Sequence, residues 1–89
     1  MNLRVLILKH ASKSRPSGKW FADDYDVVER GQHGEKLVGR IMRTPQAPEG
    51  EPWFWTITTR LPQYPHDRGY AANREQAMAN FKLAWERKP

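Results

Sequence analysis

The side chains able to do chemistry are few, and their spacing decides what they can do. His10, His33 and His66 are scattered along the chain, and their separations match no short metal-ligand pattern. Asp23, Asp24 and Asp26 cluster closely enough to approach one divalent cation, but such a cation needs a fuller set of oxygen ligands. A turn leading into a strand accounts for these aspartates. Ser12, Ser14 and Ser17 lie in a basic stretch without a nucleophile-elbow pattern, and a serine attacks only when a positioned base activates it. His66 and Asp67 are adjacent, which by itself builds no dyad. The chain has no cysteine, so disulfides, thiolate metal sites and cysteine nucleophiles are excluded. It also lacks a glycine-rich phosphate loop. The expectation is a protein that is not an enzyme, with no metal, no cofactor and no evident small-molecule substrate.

Charge offers a different chemistry. The chain has 89 residues and a net charge of +5. Residues 1–19 hold Arg4, Lys9, Lys13, Arg15 and Lys19 and no acid, whereas basic and acidic side chains cancel over residues 20–89. An arm-like excess of this kind attracts phosphates. Lys9, Lys13, Arg15 and Lys19, with His10, could each approach a phosphate, giving salt-sensitive affinity that ignores sequence. The alternative is a solvated loop that keeps the protein soluble.

The elements that position these residues follow from periodicity. Leu3 to Leu8 is aliphatic on both faces and reads as a strand, with a helix still open at this length. Such a strand belongs inside a sheet or in an oligomer interface. Residues 9–19 have no period and predict a basic, mobile loop. Asp23-Asp24 marks a turn. Tyr25 to Glu29 and Glu35 to Arg43 flank Gly31-Gln32-His33-Gly34 and predict a hairpin with a four-residue loop. In its second strand Leu37, Gly39 and Ile41 share one face, and Val38, Arg40 and Met42 the other. The Pro-rich residues 44–52 must be a connection. Trp53, Trp55, Ile57, Thr59 and Leu61 then alternate with Phe54, Thr56, Thr58 and Arg60, and the first set is assigned to the core. A short edge strand fits Tyr70 to Ala72. A helix over 74–87 is capped by Asn73 with Gln76 three residues on, and Ala77, Met78, Phe81, Ala84 and Trp85 form its apolar stripe.

If that helix covers the Trp55 face, the opposite face presents Phe54, Thr56, Thr58 and Arg60 beside Val38, Arg40 and Met42. A mixture of aromatic, Thr and Arg side chains suits a DNA groove or stacking on single-stranded bases. It also suits dimerisation, or cover by the N-terminal strand. The longest apolar run, Val5 to Leu8, is far short of a membrane span or signal-peptide core, so the expected location is cytoplasmic, with no membrane partner.

The segments Gly39-Arg40-Ile41, Trp53-Phe54-Trp55, Gly69-Tyr70-Ala71 and Glu75 to Trp85 resemble the strands, turn and helix of a group of short uncharacterised bacterial proteins. The likeness covers about half the chain and implies a fold without implying a function. Gly69 to Trp85 is more loosely similar to the closing strand and helix of two families, the DNA-binding domains of ethylene-response factors and the arm-binding regions of phage-type integrases. Those domains read DNA through a three-stranded sheet, a resemblance that would assign Arg40, Thr58 and Arg60 to contacts. The chain departs from them in its N-terminal aliphatic strand, its Pro-rich connection and its lack of an arginine run in the first strands.

The sequence therefore predicts one α+β domain over residues 1–89, with a mainly antiparallel sheet of about four strands and one C-terminal helix on one face. Its expected function is binding of DNA or RNA through Lys9, Lys13, Arg15, Lys19, Arg40, Phe54, Thr58 and Arg60. The alternative is a homodimeric or protein-interaction module.

Overall fold

The apolar and aromatic alternations are realised as five strands followed by one helix in a computed structural model that describes residues 5–10, 23–60 and 62–87. The strands are β1 (Val5–His10), β2 (Asp24–Gly31), β3 (Gly34–Arg43), β4 (Trp53–Ile57) and β5 (Arg68–Ala71); the helix α1 spans Arg74–Glu86. The sheet is a meander in the order β1-β2-β3-β4-β5 with every neighbouring pair antiparallel. This is the expected α+β fold with one more strand than expected, because Arg68–Ala71 pairs fully with β4.

Side-chain alternation sorts the sheet into an inner face under α1 and an outer face. Val27, Ile41, Trp55, Ile57 and Ala71 meet Ala77, Phe81 and Ala84 of the helix in one buried cluster. Trp55 and Phe81 pack edge to face, with ring centroids 6.2 Å apart, the arrangement favoured by their ring quadrupoles. Two glycines make room for these rings. A Cβ on Gly39 would lie 2.4 Å from Phe81 Cε2 and 2.3 Å from the Thr56 carbonyl, and one on Gly69 would lie 3.0 Å from the Trp55 indole. Any larger residue at 39 would push the helix off the sheet.

The helix begins as its sequence predicts. Asn73 Oδ1 accepts from the Gln76 amide at 2.7 Å, satisfying one of the donors orphaned at a helix start. The Gln76 side chain does not return to Asn73 but donates to Asn80 at 3.1 Å, one turn along. α1 lies mainly across β4 and β5, and polar side chains tie its two ends to β2. Arg74 Nη1 donates to Tyr25 Oη at 2.7 Å, and Trp85 Nε1 donates to Glu29 Oε2 at 2.9 Å.

Four local expectations are corrected. The first hairpin turns on Gln32-His33 alone, since Gly31 and Gly34 already pair and Gly34 takes a φ of 117° that an L side chain resists. β1 continues through Lys9 and His10, so these two residues are strand, not loop. Among the described residues β2 is its one strand neighbour. Val27 pairs with Gly39 and Val28 with Leu37, leaving Val38 as an extra residue opposite the pair. This bulge reverses the alternation: Val38 is 0% exposed within the core and Leu37 is 48% exposed, the opposite of their expected faces. Finally, β4 stops at Ile57. The Thr58 amide still donates to the Val38 carbonyl at 2.9 Å. The chain then bends at Thr59 and Arg60, ahead of Pro62, which has no N–H with which to extend a ladder.

Candidate nucleic-acid interface

The outer face is organised in cross-strand rows. One row runs Lys9, Asp26, Arg40, Thr56, Arg68, and the next runs Asp24, Met42, Phe54, Tyr70. Phe54 and Tyr70 are directly opposed on β4 and β5, with ring centroids 5.2 Å apart and planes tilted by 50°. With Pro65, Arg68 and Gly69 they line a shallow hollow of about 460 Å³. Arg68 is exposed, and among the described residues no carboxylate pairs with it; its guanidinium makes a long contact of 3.5 Å to Gln63 Oε1. Gln63 in turn donates to Thr56 Oγ1 at 2.7 Å and to the Ile57 carbonyl at 2.6 Å, which ties the connection after β4 back to that strand. Tyr64 stacks on His66 at 5.5 Å in the same connection, with the Tyr64 ring exposed.

The residues expected to carry binding are placed very differently from one another. Phe54 is half-buried on the outer face, where the alternation put it. Arg40 is there too, but its Nη2 donates to both carboxylate oxygens of buried Asp24 at 2.8 and 2.7 Å, so its charge is largely matched inside the sheet. Lys9 ends the same row and ion-pairs with Glu35, which also accepts from Arg30 Nε at 2.8 Å. Thr58 is exposed beyond the end of β4. Arg60 leaves the outer face altogether. Its guanidinium donates to the carbonyls of Ala84, at 2.8 Å, and Trp85, lies 4.9 Å from the Trp85 ring centroid, and stands 3.4 Å from buried Asp67. The expected outer-face position of Arg60 is therefore corrected: with the strand ended, its donors reach the carbonyls of the last turn of the helix. Lys13, Arg15 and Lys19 lie outside the described residues.

Ser12, Ser14 and Ser17 lie outside the described residues, whereas Asp67 and His10 have structural partners. Asp67 Oδ2 accepts from the Tyr64 amide at 3.0 Å, so the carboxylate beside His66 holds a turn. His10 packs against Tyr25 at 4.5 Å between ring centroids. Among the described residues no group of three His, Cys, Asp or Glu side chains could hold a metal ion, and no described helix is long and apolar enough to cross a membrane.

The Lys9–Glu35–Arg30 cluster has a testable electrostatic signature. Hydrogen bonds from Lys9 and then Arg30 hold the Glu35 carboxyl below the ordinary glutamate range. A depressed carboxyl favours the folded state above its unfolded value, and that contribution disappears as pH falls through the lowered folded value. Carboxyl NMR shifts followed from about pH 6 to pH 2 should place the Glu35 midpoint below that of an ordinary glutamate. Lys9→Ala should move it upward. Identical midpoints in the two proteins would show that the pair does not persist in solution.

Sequence reasoning missed Arg68, Tyr70 and Gln63. The signal for Tyr70 was present in the alternation Arg68-Gly69-Tyr70-Ala71, but its opposition to Phe54 is a matter of register. No protein-family model matches this chain, and no curated protein or solved structure matches it either, so geometry and charge carry the functional reading.

Proposed function

We propose that this chain is a non-enzymatic nucleic-acid-binding domain that takes single-stranded DNA or RNA on the outer face of β4 and β5. The observation that carries the reading is the Phe54–Tyr70 ring pair on adjacent strands with exposed Arg68 in the next row. Aromatic side chains on a sheet surface offer π-faces to unstacked bases, while a neighbouring guanidinium meets the phosphate or stacks as well. The net charge of +5 supplies long-range attraction to a polyanion. A single strand fits this shallow, two-ring platform better than a duplex, whose bases are already stacked.

Fluorescence anisotropy with labelled oligonucleotides of about 10–16 nucleotides tests the reading. Phe54→Ala and Tyr70→Ala should each weaken single-strand binding by about 5- to 150-fold, the equivalent of roughly 1–3 kcal/mol per stacked base. Arg68→Ala should flatten the salt dependence. Absence of binding at low salt, or binding indifferent to both ring deletions, would overturn it.

A further inference from the structure

We infer that Tyr64 and His66 form a second base-stacking subsite, continuous with the Phe54–Tyr70 platform and separated from it by Arg68. The inference rests on the proposed function and says more about its ligand: a single strand with bases splayed to both sides of one phosphate. Apart from Phe54, these residues lie within 62–87, a stretch described without interruption. Among the described residues only two aromatic side chains are strongly exposed, Tyr64 at 45% and Tyr70 at 41%, and they stand on either side of Arg68 along the chain. Pro65 and Arg68 line the same hollow as Phe54 and Tyr70, so the two ring pairs share one surface.

The turn holds Tyr64 in place. His66 backs one face of its ring, with centroids 5.5 Å apart and planes within 9° of parallel. The Tyr64 amide donates to Asp67 Oδ2 at 3.0 Å, and the Asp67 amide donates back to the Tyr64 carbonyl at 2.9 Å. Pro65 fixes its own φ at the start of the short 3-10 turn Pro65–Asp67, which runs straight into β5. An exposed ring held this firmly has little freedom left to lose when a base stacks on it. The charge pattern selects a polyanion over an apolar partner. Asp67 is the one acid from residue 62 to residue 73, and its carboxylate is 1% exposed and lies 3.4 Å from Arg60. Arg68 is thus the exposed charge between the two ring pairs. A phosphate on its guanidinium sends the flanking bases to opposite pairs, in the manner of sheet surfaces that stack two or three bases of a single strand.

NMR titration of the wild-type chain with oligonucleotides of about two to six nucleotides tests this. Ring protons of Tyr64 and His66 should move together with those of Phe54 and Tyr70 and report one Kd. Tyr64→Ala should weaken binding of the longer strands by about 5- to 30-fold, the lower part of the range for one stacked base, because much of the ring stays in solvent. Tyr64→Phe keeps the ring and should bind within about 2-fold of wild type. DNA and RNA series run side by side identify which sugar the strand carries. The wild-type shifts decide the matter even where a variant fails to fold. If Phe54 and Tyr70 respond while Tyr64 and His66 stay still, or if Tyr64→Ala binds as wild type does, the second subsite is wrong and the first platform stands. If no ring responds to any strand, both readings fall.

Discussion

Phe81→Ala should destabilise the domain by about 3–5 kcal/mol, the usual cost of deleting a fully buried phenylalanine ring. Phe81 is 0% exposed and lies between the Gly39 backbone and Trp55. Its removal empties the centre of the contact between α1 and the sheet. Neither neighbour can refill the space, because Gly39 has no side chain and Trp55 is already seated against Gly69. A chain of this size has roughly 4–13 kcal/mol of total stability, so the variant should lose a large share of it. At about 4–8 °C per kcal/mol for a domain of this length, thermal unfolding should begin at least 12 °C lower or so. Circular dichroism during heating and urea titration both read this. A loss below about 1 kcal/mol would mean that the helix is not held to the sheet through this ring.

Arg60→Met should be the next most damaging substitution, at roughly 2–3 kcal/mol. Methionine keeps much of the packing against Trp85 but removes every donor. The Trp85 carbonyl then loses its side-chain donor, the Ala84 carbonyl keeps only the Arg87 amide at 3.2 Å, and the Asp67 carboxylate, 1% exposed, loses the nearby guanidinium. Breaking one side of a buried ion pair is usually worse than removing both, since a buried charge is left uncompensated. The estimate sits below the usual range for such pairs because the 3.4 Å contact is long and Arg60 is partly exposed. The double variant Arg60→Met with Asp67→Asn should recover part of the loss, as the amide oxygen can still accept from the Tyr64 amide without carrying charge. Urea unfolding of the three proteins measures this. Equal destabilisation of the single and double variants would show that Arg60 acts through the helix carbonyls alone.

These two predictions differ in how visible they were before the fold was known. Phe81 belongs to a stripe with Ala77, Ala84 and Trp85 at helical spacing, so its burial follows from periodicity. Arg60 continued the outward alternation of Phe54, Thr56 and Thr58, and nothing nearby in sequence signals the helix end that it reaches. Its role depends on β4 stopping at Ile57 and on a residue twenty-four positions later in the chain. The Arg40–Asp24 pair was hidden for the same reason: both residues were weighed as functional groups, and only the register of β2 against β3 makes them partners.

The candidate interface divides in the same way. Phe54 was legible as an outward aromatic because a strand presents alternate residues to opposite faces. Tyr70 and Arg68 became its neighbours only through the pairing of β4 with β5. In the other direction, Lys9 and Arg40 had charges that fitted a phosphate surface until their carboxylate partners were known.

Local order in the amino acids therefore settles what neighbours along the chain can settle: the Asn73 cap, the helix stripe, the strand alternations and the absence of thiol chemistry. Folding in three dimensions decides the rest. It places Val38 inside and Leu37 outside through one extra residue, pairs β1 with β2, ends β4 early and brings Phe54 beside Tyr70. The physical reason is the range of the interactions. Caps and periodicity act within about a turn or two of the chain, whereas strand register and ion pairing join residues far apart in sequence and respond to the whole core at once.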